Sequence, residues 1–370
     1  MDETNRYARQ RTRRSPDPRW AAQGDAFLGI RLYMSILNLP SYDMYWSTDP
    51  IFGNQFAPRV MKRDRFDKLL QYFHAADTSR NPPKGHEDHD KLAHVRPVLE
   101  FVRRQCLEQY HPHEETSIDE AMVAFQGRLG WRQYVPSKPT KYGMKVWVRA
   151  DPANGFVNDF QFYTGKTKNG EGGLGTRVVV DLTREIKDRR MTVNCDNFFT
   201  SPALFQQLLE DGLYARGTAR GDRKGMPPPA SFPKKLKNQG DSIILQKGSL
   251  TAIRWQDKRT VTFLSTADDP TSMTEVDRKK KDGTIHKVKS PLAVSAYNMN
   301  MNGVDHADQL RNEYPTSRKC RKWWQYAFWF LVDVAICNAF IVMKESPHHQ
   351  MTTRKGKAKP RTLLSFKKAL

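Results

Sequence analysis

Residues 116–143 read TSIDEAMVAFQGRLGWRQYVPSKPTKYG. Ser117-Ile118-Asp119-Glu120 opens this stretch as a short strand-like run ending in a carboxylate. Pro136, Lys138, Pro139 and Lys141 close it ahead of a turn glycine at 143. Two later segments repeat the pattern of a carboxylate at the edge of an apolar run: VNCDNFFTS (193–201), with Asp196, and NGVDHADQL (302–310), with Asp305 and Asp308. Whether the three can meet depends on the elements that carry them.

From Thr116 the hydrophobic period is two. SIDEAMVAF, KVWVRA (145–150) and NDFQFYTG (158–165) read as three strands joined by turns that contain Gly or Pro. A Gly/Lys loop over 165–175 leads into a helix over about 176–187, and TVNCD (192–196) is a fourth strand. SPALFQQLLEDG (201–212) is a helix with Pro near its start and Gly past its end, and LYARGTAR (213–220) is a fifth strand. Three strands, helix, strand, helix, strand is the order of a ribonuclease H-like mixed sheet, an α/β fold. Its first and fourth strands are neighbours, so Asp119 and Asp196 are expected side by side.

Outward from this core, residues 1–22 read as a disordered basic arm. Residues 23–112 read as an all-helical basic unit. Ala26–Leu39 is apolar on most turns and is stopped by Pro40. Val60, Phe66, Leu69, Leu70 and Phe73 recur at helical spacing over 59–77, and Val95, Val98, Leu99, Val102 and Cys106 do so over 92–110. The core then spans 113–222. A Pro-rich linker and short alternating strands form a β-rich insertion over 223–290, within which 277–290 is a charged hairpin-like loop. The chain returns to the core over 291–310, where a helix starts near Val304.

Residues 311–345 supply the rest of the helical unit. Trp323–Met343 is long enough to cross a membrane, but Gln325, Asp333 and Asn338 interrupt it. A mid-span Asp alone costs roughly 3 kcal/mol on insertion, so a buried core helix is expected and no membrane. Residues 346–370 are a basic tail, read as a solvated or DNA-touching arm suited to nuclear import.

Lys and Arg number 61 against 40 Asp and Glu, a net charge of +21, and an excess of that size favours a polyanion as partner. Cys106, Cys195, Cys320 and Cys337 form no C-x-x-C pair, which argues against a zinc ribbon or a disulfide framework and for a reducing compartment. The basic, polar N-terminus lacks the apolar core of a secretory signal. His86-Glu87-Asp88-His89-Asp90 has metal-ligand residues without regular spacing, in a loop.

Three aspartates presented to a polyanion suggest phosphodiester chemistry. Two divalent ions about 4 Å apart activate the attacking oxygen and stabilise the leaving one. Mg²⁺ or Mn²⁺ keeps several waters, so Asp119, Asp196 and Asp305 suffice to hold two ions. Asp308, one helical turn beyond Asp305, is placed to assist as a fourth ligand or an orienting acid.

SIDEAMVAFQGR…YVPSKPTKYGMK, VNCDNFFTS and NGVDHADQL resemble, in this order, the catalytic blocks of the piggyBac transposase family. YWSTDPIFGN, RDRF…LLQYFH and KLAHVRPVLEF resemble its upstream segment, and RKCRKWWQYAFWFLVDVAICNAFI its downstream helix, so the likeness covers about residues 25–345. The resemblance implies a DDE-type, metal-dependent DNA transposase in the nucleus. Such an enzyme nicks the 3′ end of an element, forms and opens a hairpin, and joins double-stranded DNA at TTAA. It implies Asp119, Asp196 and Asp305 as the catalytic triad with Asp308 in support, and a helical domain for dimerisation and DNA binding, hence a homodimer.

Arg128, Lys138 and Lys141 would suit phosphates beside the active site. Arg220, Arg223 and Lys224 stand where the family has basic residues acting on target DNA. Arg318, Lys319, Arg321 and Lys322 precede Trp323, a junction suited to clamping DNA and stacking a base, although Trp323 and Trp324 equally suit core packing. Trp255 fits either sheet packing or a wedge into distorted DNA. The family's C-terminal Cys-rich zinc module has no counterpart after Cys337, and no zinc is implied. That departure opens a second reading, a domesticated, catalytically silent DNA-binding protein, alongside a compact or truncated member.

Overall fold

The computed structural model describes residues 1–12, 23–53, 56–165, 173–347, 350–352 and 356–370. Parts of three sequence readings therefore lie outside the described residues: the arm at 13–22, most of the Gly/Lys loop (166–172), and short pieces of the tail. The chain divides into two compact units. One comprises Met1–Cys106, Val123–Gly143 and Leu310–Leu370. The other comprises Leu107–Met122 and Met144–Gln309. The helical unit thus takes in 123–143, expected within the core, together with both ends of the chain.

The helical unit holds α1 (Asp2–Thr12), α2 (Gly24–Ile36), α3 (Phe56–Val60), α4 (Arg63–Tyr72) and α5 (Arg96–Glu108). Phe27, Ile30 and Met34 of α2 sit at helical spacing and are fully buried. Phe27 meets Phe66 of α4 at 5.1 Å between ring centroids, and Phe73 at 5.6 Å. Phe73 in turn stacks on Trp329. Each such buried aromatic contributes roughly 2–3 kcal/mol. The helix expected over 59–77 is broken at Met61-Lys62, because the Met61 carbonyl accepts from the Trp46 indole at 2.7 Å and Lys62 is extended. The one expected over 92–110 starts at Arg96, with Pro97 in its first turn, where a missing N–H costs nothing.

Residues 2–12 correct the disordered-arm expectation. Thr4 and Ala8 are buried, the Thr4 hydroxyl donates to the His74 carbonyl, Tyr7 stacks on His74, and Arg6 pairs with Asp77 at 2.9 Å.

The second unit is built on β1 (Glu115–Ala124), β3 (Tyr142–Ala150), β4 (Val157–Phe162), α6 (Leu174–Thr183), β5 (Thr192–Cys195), α7 (Pro202–Glu210) and β6 (Tyr214–Thr218), while β2 (Gln133–Tyr134) lies in the 123–143 segment of the helical unit. β7 (Ser242–Lys247), β8 (Leu250–Gln256), β9 (Thr260–Ser265), β10 (Met273–Lys279), β11 (Ile285–Pro291), α8 (Leu292–Asn300) and α9 (Gly303–Glu313) follow. One mixed sheet runs in the order β2-β3-β1-β5-β6-β9-β8-β7, with β4 on β3. β1, β5 and β6 are parallel, and β2–β3, β3–β4, β6–β9, β9–β8 and β8–β7 pair antiparallel. The β-rich insertion is therefore not a separate module at this point. β9 pairs with β6 and carries the sheet outward, while β10 and β11 form a two-stranded hairpin.

One sheet face is covered by α6 and α7, whose Val178, Val179, Leu182, Leu204, Phe205 and Leu208 pack on Ile118, Trp147, Val193 and Ala215. Ser201 caps α7 by accepting from Leu204 N–H, with Pro202 next. α8 packs near β8 and β9, where Trp255 is 2% exposed and donates to the Lys289 carbonyl, so it is a core residue and not a wedge.

α10 (Trp323–Glu345) is long and apolar enough to cross a membrane, yet its most apolar window is 67% buried within the protein. Its polar interruptions have partners: Asp333 accepts from Thr316, and Asn338 donates to Cys106. The tail is likewise more than a solvated arm. β12 (Gln350–Thr352) and β13 (Ala358–Pro360) pair, and α11 (Leu363–Lys367) starts with a Thr362/Ser365 capping box. α11 buries Leu363 beside Ile336 and Phe340 of α10.

Candidate active site

Register fixes the centre of the site. Ile118 of β1 pairs with Cys195 of β5, and Cys195 with Gly217 of β6. One residue further along, Asp119, Asp196 and Thr218 stand abreast on three neighbouring parallel strands. Alternation turns Cys195 and Ile118 into the core under α6 and α7, so these three face the opposite side. The close approach of β5 and β6 needs Gly217, where a Cβ would fall on the Cys195 carbonyl and the Thr200 hydroxyl.

The turn after β5 holds Asp196 in place. Its Oδ1 accepts from Phe198 N–H at 2.9 Å, and its carbonyl accepts from the Thr200 hydroxyl at 2.8 Å. Arg223 donates to the carbonyls of Asn197 (3.0 Å) and Phe198 (2.7 Å), so this side chain braces the turn that carries Asp196. Phe198 and Phe199 lean on Trp147, and Lys145 lies over the Trp147 ring at 3.8 Å and 3.7 Å from Glu120. Burial pushes the Asp196 carboxyl above the usual carboxylate range, and the charge of Asp119 pushes it further; the Phe198 N–H and Lys145 pull the other way.

α8 adds Tyr297, hydrogen-bonded to Thr218. Burial raises its phenol above the ordinary value, and the charges of Asp196 and Asp119 add to the rise. Tyr297 is therefore a protonated hydroxyl beside two carboxylates at any physiological pH.

α9 brings Asp305 toward the same face. Gly303, at its start, packs so closely on Ser117 that a Cβ there would meet the Ser117 hydroxyl and come within 3.0 Å of the Ala150 carbonyl. Ser117 is two residues before Asp119 and so shares its face. Asp305 is exposed in the first helical turn and Asp308 is half-buried one turn on. The structure thus sets Asp119 beside Asp196 and starts α9, the helix that bears Asp305 and Asp308, against Ser117 on the same face. Among the described residues no three His, Cys, Asp or Glu converge closely enough to enclose an ion by themselves, the 86–90 loop included.

The Asp119–Asp196 pair nevertheless fits hard divalent cations. The donors are carboxylate oxygens, and desolvation of Asp196, with the charge of Asp119 added to it, disfavours an anion that a bound cation would stabilise.

Below this layer lies a buried charged network. Arg216 of β6, 6% exposed, makes a two-pronged pair with Asp268 (2.9 and 3.1 Å) and donates to Glu115 of β1 at 2.9 Å. Asn194 of β5 donates to Glu115 at 2.8 Å, so the network staples the three strands that present Asp119, Asp196 and Thr218.

Of the basic residues singled out from sequence, Arg128 and Lys141 are exposed and Lys138 half-exposed, all on the helical unit's Val123–Gly143 segment. Arg220 and Lys224 are exposed after β6. Arg318 is half-buried and donates to Asn38, while Lys319 and Arg321 are exposed. Lys322 reaches the Gln71 carbonyl, and Trp323 packs edge-on against Trp131 and His94. Sequence reading did not find Thr218, Tyr297, Lys145 or Arg216. Thr218 was findable from strand pairing, because it stands one step past Gly217 of β6 as Asp119 stands one step past Ile118 of β1; the others depend on packing.

A ribonuclease H-like sheet with two aspartates abreast at neighbouring parallel strands defines the class: an α/β fold with a carboxylate centre. The family model described as Transposase IS4 matches residues 1–340. The chain is 30% identical over 329 residues to human PiggyBac transposable element-derived protein 3, covering 86% of this chain and 54% of that protein. It is 28% identical over 370 residues to human PiggyBac transposable element-derived protein 5, covering 93% and 67%. A cryo-EM structure of the piggyBac transposase synaptic complex with hairpin DNA superimposes with a TM-score of 0.81 at 26% identity, over 100% of this chain and 75% of that one. The chain belongs to the piggyBac transposase family. It spans about half the length of the first of these relatives.

Proposed function

We propose that this protein is a DDE-type DNA transposase that cuts element ends and joins them to TTAA targets, using two Mg²⁺ or Mn²⁺ ions, as a nuclear homodimer on double-stranded DNA. The observation that carries the reading is the Asp119–Asp196 pair, one step beyond the paired Ile118 of β1 and Cys195 of β5.

When bound, the ions supply charge neutralisation at the scissile phosphate and activation of the attacking oxygen. Asp119 and Asp196 would hold them, with Asp305 completing the set and Asp308 orienting it. Arg223 keeps the 197–198 turn, and with it the Asp196 carboxylate, in one position. Lys145 offsets part of the negative field at Asp196, and its ammonium also lies over Trp147 and beside Glu120. Tyr297 stays protonated and is a hydrogen-bond donor within the field of both aspartates. Exposed Arg128, Lys141, Arg220, Lys224, Lys319 and Arg321 supply cations for phosphates.

Incubation with Mg²⁺, an element-end duplex and a plasmid target tests the reading, with insertion junctions sequenced. The expected result is joining confined to TTAA. Joining at unrelated sequences would overturn the target assignment. DNA binding without any product would leave the silent, domesticated reading.

A further inference from the structure

The hairpin formed by β2 and the start of β3 has two unlike ends. At its root, Phe125 packs edge-on against Tyr326, and Trp131, 7% exposed, against Trp323. At its outer end Tyr134 and Tyr142, partners across the two strands, are 57% and 45% exposed. Their rings stack with centroids 4.7 Å apart at 29°. The Arg132 guanidinium lies 5.6 Å from the Tyr142 centroid and donates to the carbonyls of Gln126 (2.7 Å) and Gly127 (3.1 Å), fixing the loop that carries Arg128. The connecting turn VPSKPTK is closed by Val135 N–H to the Lys141 carbonyl and stiffened by two prolines. From Ala121 to Ala150 the sequence has no Asp or Glu, while Arg128, Arg132, Lys138 and Lys141 all lie between Phe125 and Gly143.

A cross-strand tyrosine pair steadies a hairpin, but it does not require four basic residues and no acidic one in the hairpin's own sequence. Aromatic surface left open to water on a rigid, purely basic hairpin matches the chemistry that binds single-stranded nucleic acid. There, bases stack on rings while cations take the phosphates. We propose that this hairpin is a stacking site for an unpaired DNA base. Tyr134 and Tyr142 provide the ring surface, Arg128, Lys138 and Lys141 hold the flanking phosphates, and Arg132 positions Tyr142 and the loop. The site needs no metal and no cleavage, so it stands or falls separately from the transposase chemistry.

The test uses the full chain, without divalent metal, and a short oligonucleotide carrying 2-aminopurine, single-stranded or in a duplex. Single-stranded probe fluorescence is expected to fall on binding. Tyr134→Thr/Tyr142→Thr keeps a strand-compatible cross-strand pair and should lose that quenching. It should also lose about tenfold or more of single-strand affinity, with duplex affinity and salt dependence unchanged. Tyr134→Phe/Tyr142→Phe keeps the rings and should behave as the parent, which separates stacking from a damaged hairpin. Quenching and single-strand affinity that survive in the threonine variant would overturn the proposal. So would an equal loss for duplex and single strand.

Discussion

Lys367 offers the sharpest prediction about stability. It is 4% exposed near the end of α11, its Nζ 3.6 Å from Asp333 Oδ1, which is 2% exposed in the middle of α10. Nζ also donates to the Tyr314 carbonyl and, at 3.4 Å, to the Ser35 hydroxyl. Asp333 accepts from the Thr316 N–H and hydroxyl, and the Thr316 carbonyl accepts from the buried Arg31. At that separation and an effective dielectric of about 20, the pair attracts by about 4–5 kcal/mol. Lys367→Met removes the cation but leaves the carboxylate buried, a change that costs about 3–5 kcal/mol. Replacing both, as in Lys367→Met/Asp333→Leu, is expected to recover most of the loss.

The pH dependence follows from the same group. Burial holds the Asp333 carboxyl above its ordinary value, and Lys367 is the strongest influence pulling it back. A carboxyl with a raised folded pKa binds more protons folded than unfolded between the two pKa values, so stability falls as pH rises through that interval. The Lys367→Met defect should therefore be largest above the raised pKa of Asp333 and shrink as pH falls toward the ordinary aspartate range. Thermal unfolding followed by tryptophan fluorescence reports it, since Trp323, Trp324 and Trp329 all lie on α10. A loss below about 1 kcal/mol, or a defect that grows as pH falls, would refute the reasoning.

Two further outcomes concern the unit that carries the central sheet. Arg216→Met should destabilise it by about 3–5 kcal/mol, because Glu115 and Asp268 lose a buried partner, and chemical denaturation measures this. Gly217→Ala should cost at least about 2–3 kcal/mol, because both groups its methyl would meet belong to the β5 strand and the turn after it; an unchanged melting temperature would contradict the strand spacing.

The parts of this architecture legible in the sequence are those with a period or a cap. Alternation revealed the strands that carry Asp119 and Asp196, and Pro202 with Ser201 marked α7. The asparagine and aspartate inside Trp323–Met343 separated a core helix from a membrane span. The parts that were not legible rest on single contacts. α1 has no apolar stripe and is held by Thr4, Ala8 and Tyr7 against the segment around His74, which composition reads as a basic arm. α11 buries a lysine, the residue type least expected in a core. β7–β9 were visible as strands, but only their pairing through β6 shows that they continue the central sheet. Tyr297 meets the aspartates across the sheet face from a helix more than a hundred residues downstream of Asp119 in the chain, so no local pattern could announce it.

The central claim is that Asp119 and Asp196 work together on DNA with a divalent cation. Nicking of an element-end duplex, measured with and without Mn²⁺ for the parent, Asp119→Asn and Asp196→Asn, tests it directly. The account predicts nicking by the parent that requires Mn²⁺ and disappears in each variant while DNA affinity is retained. Nicking that persists in Asp196→Asn, or that needs no divalent cation, would contradict it.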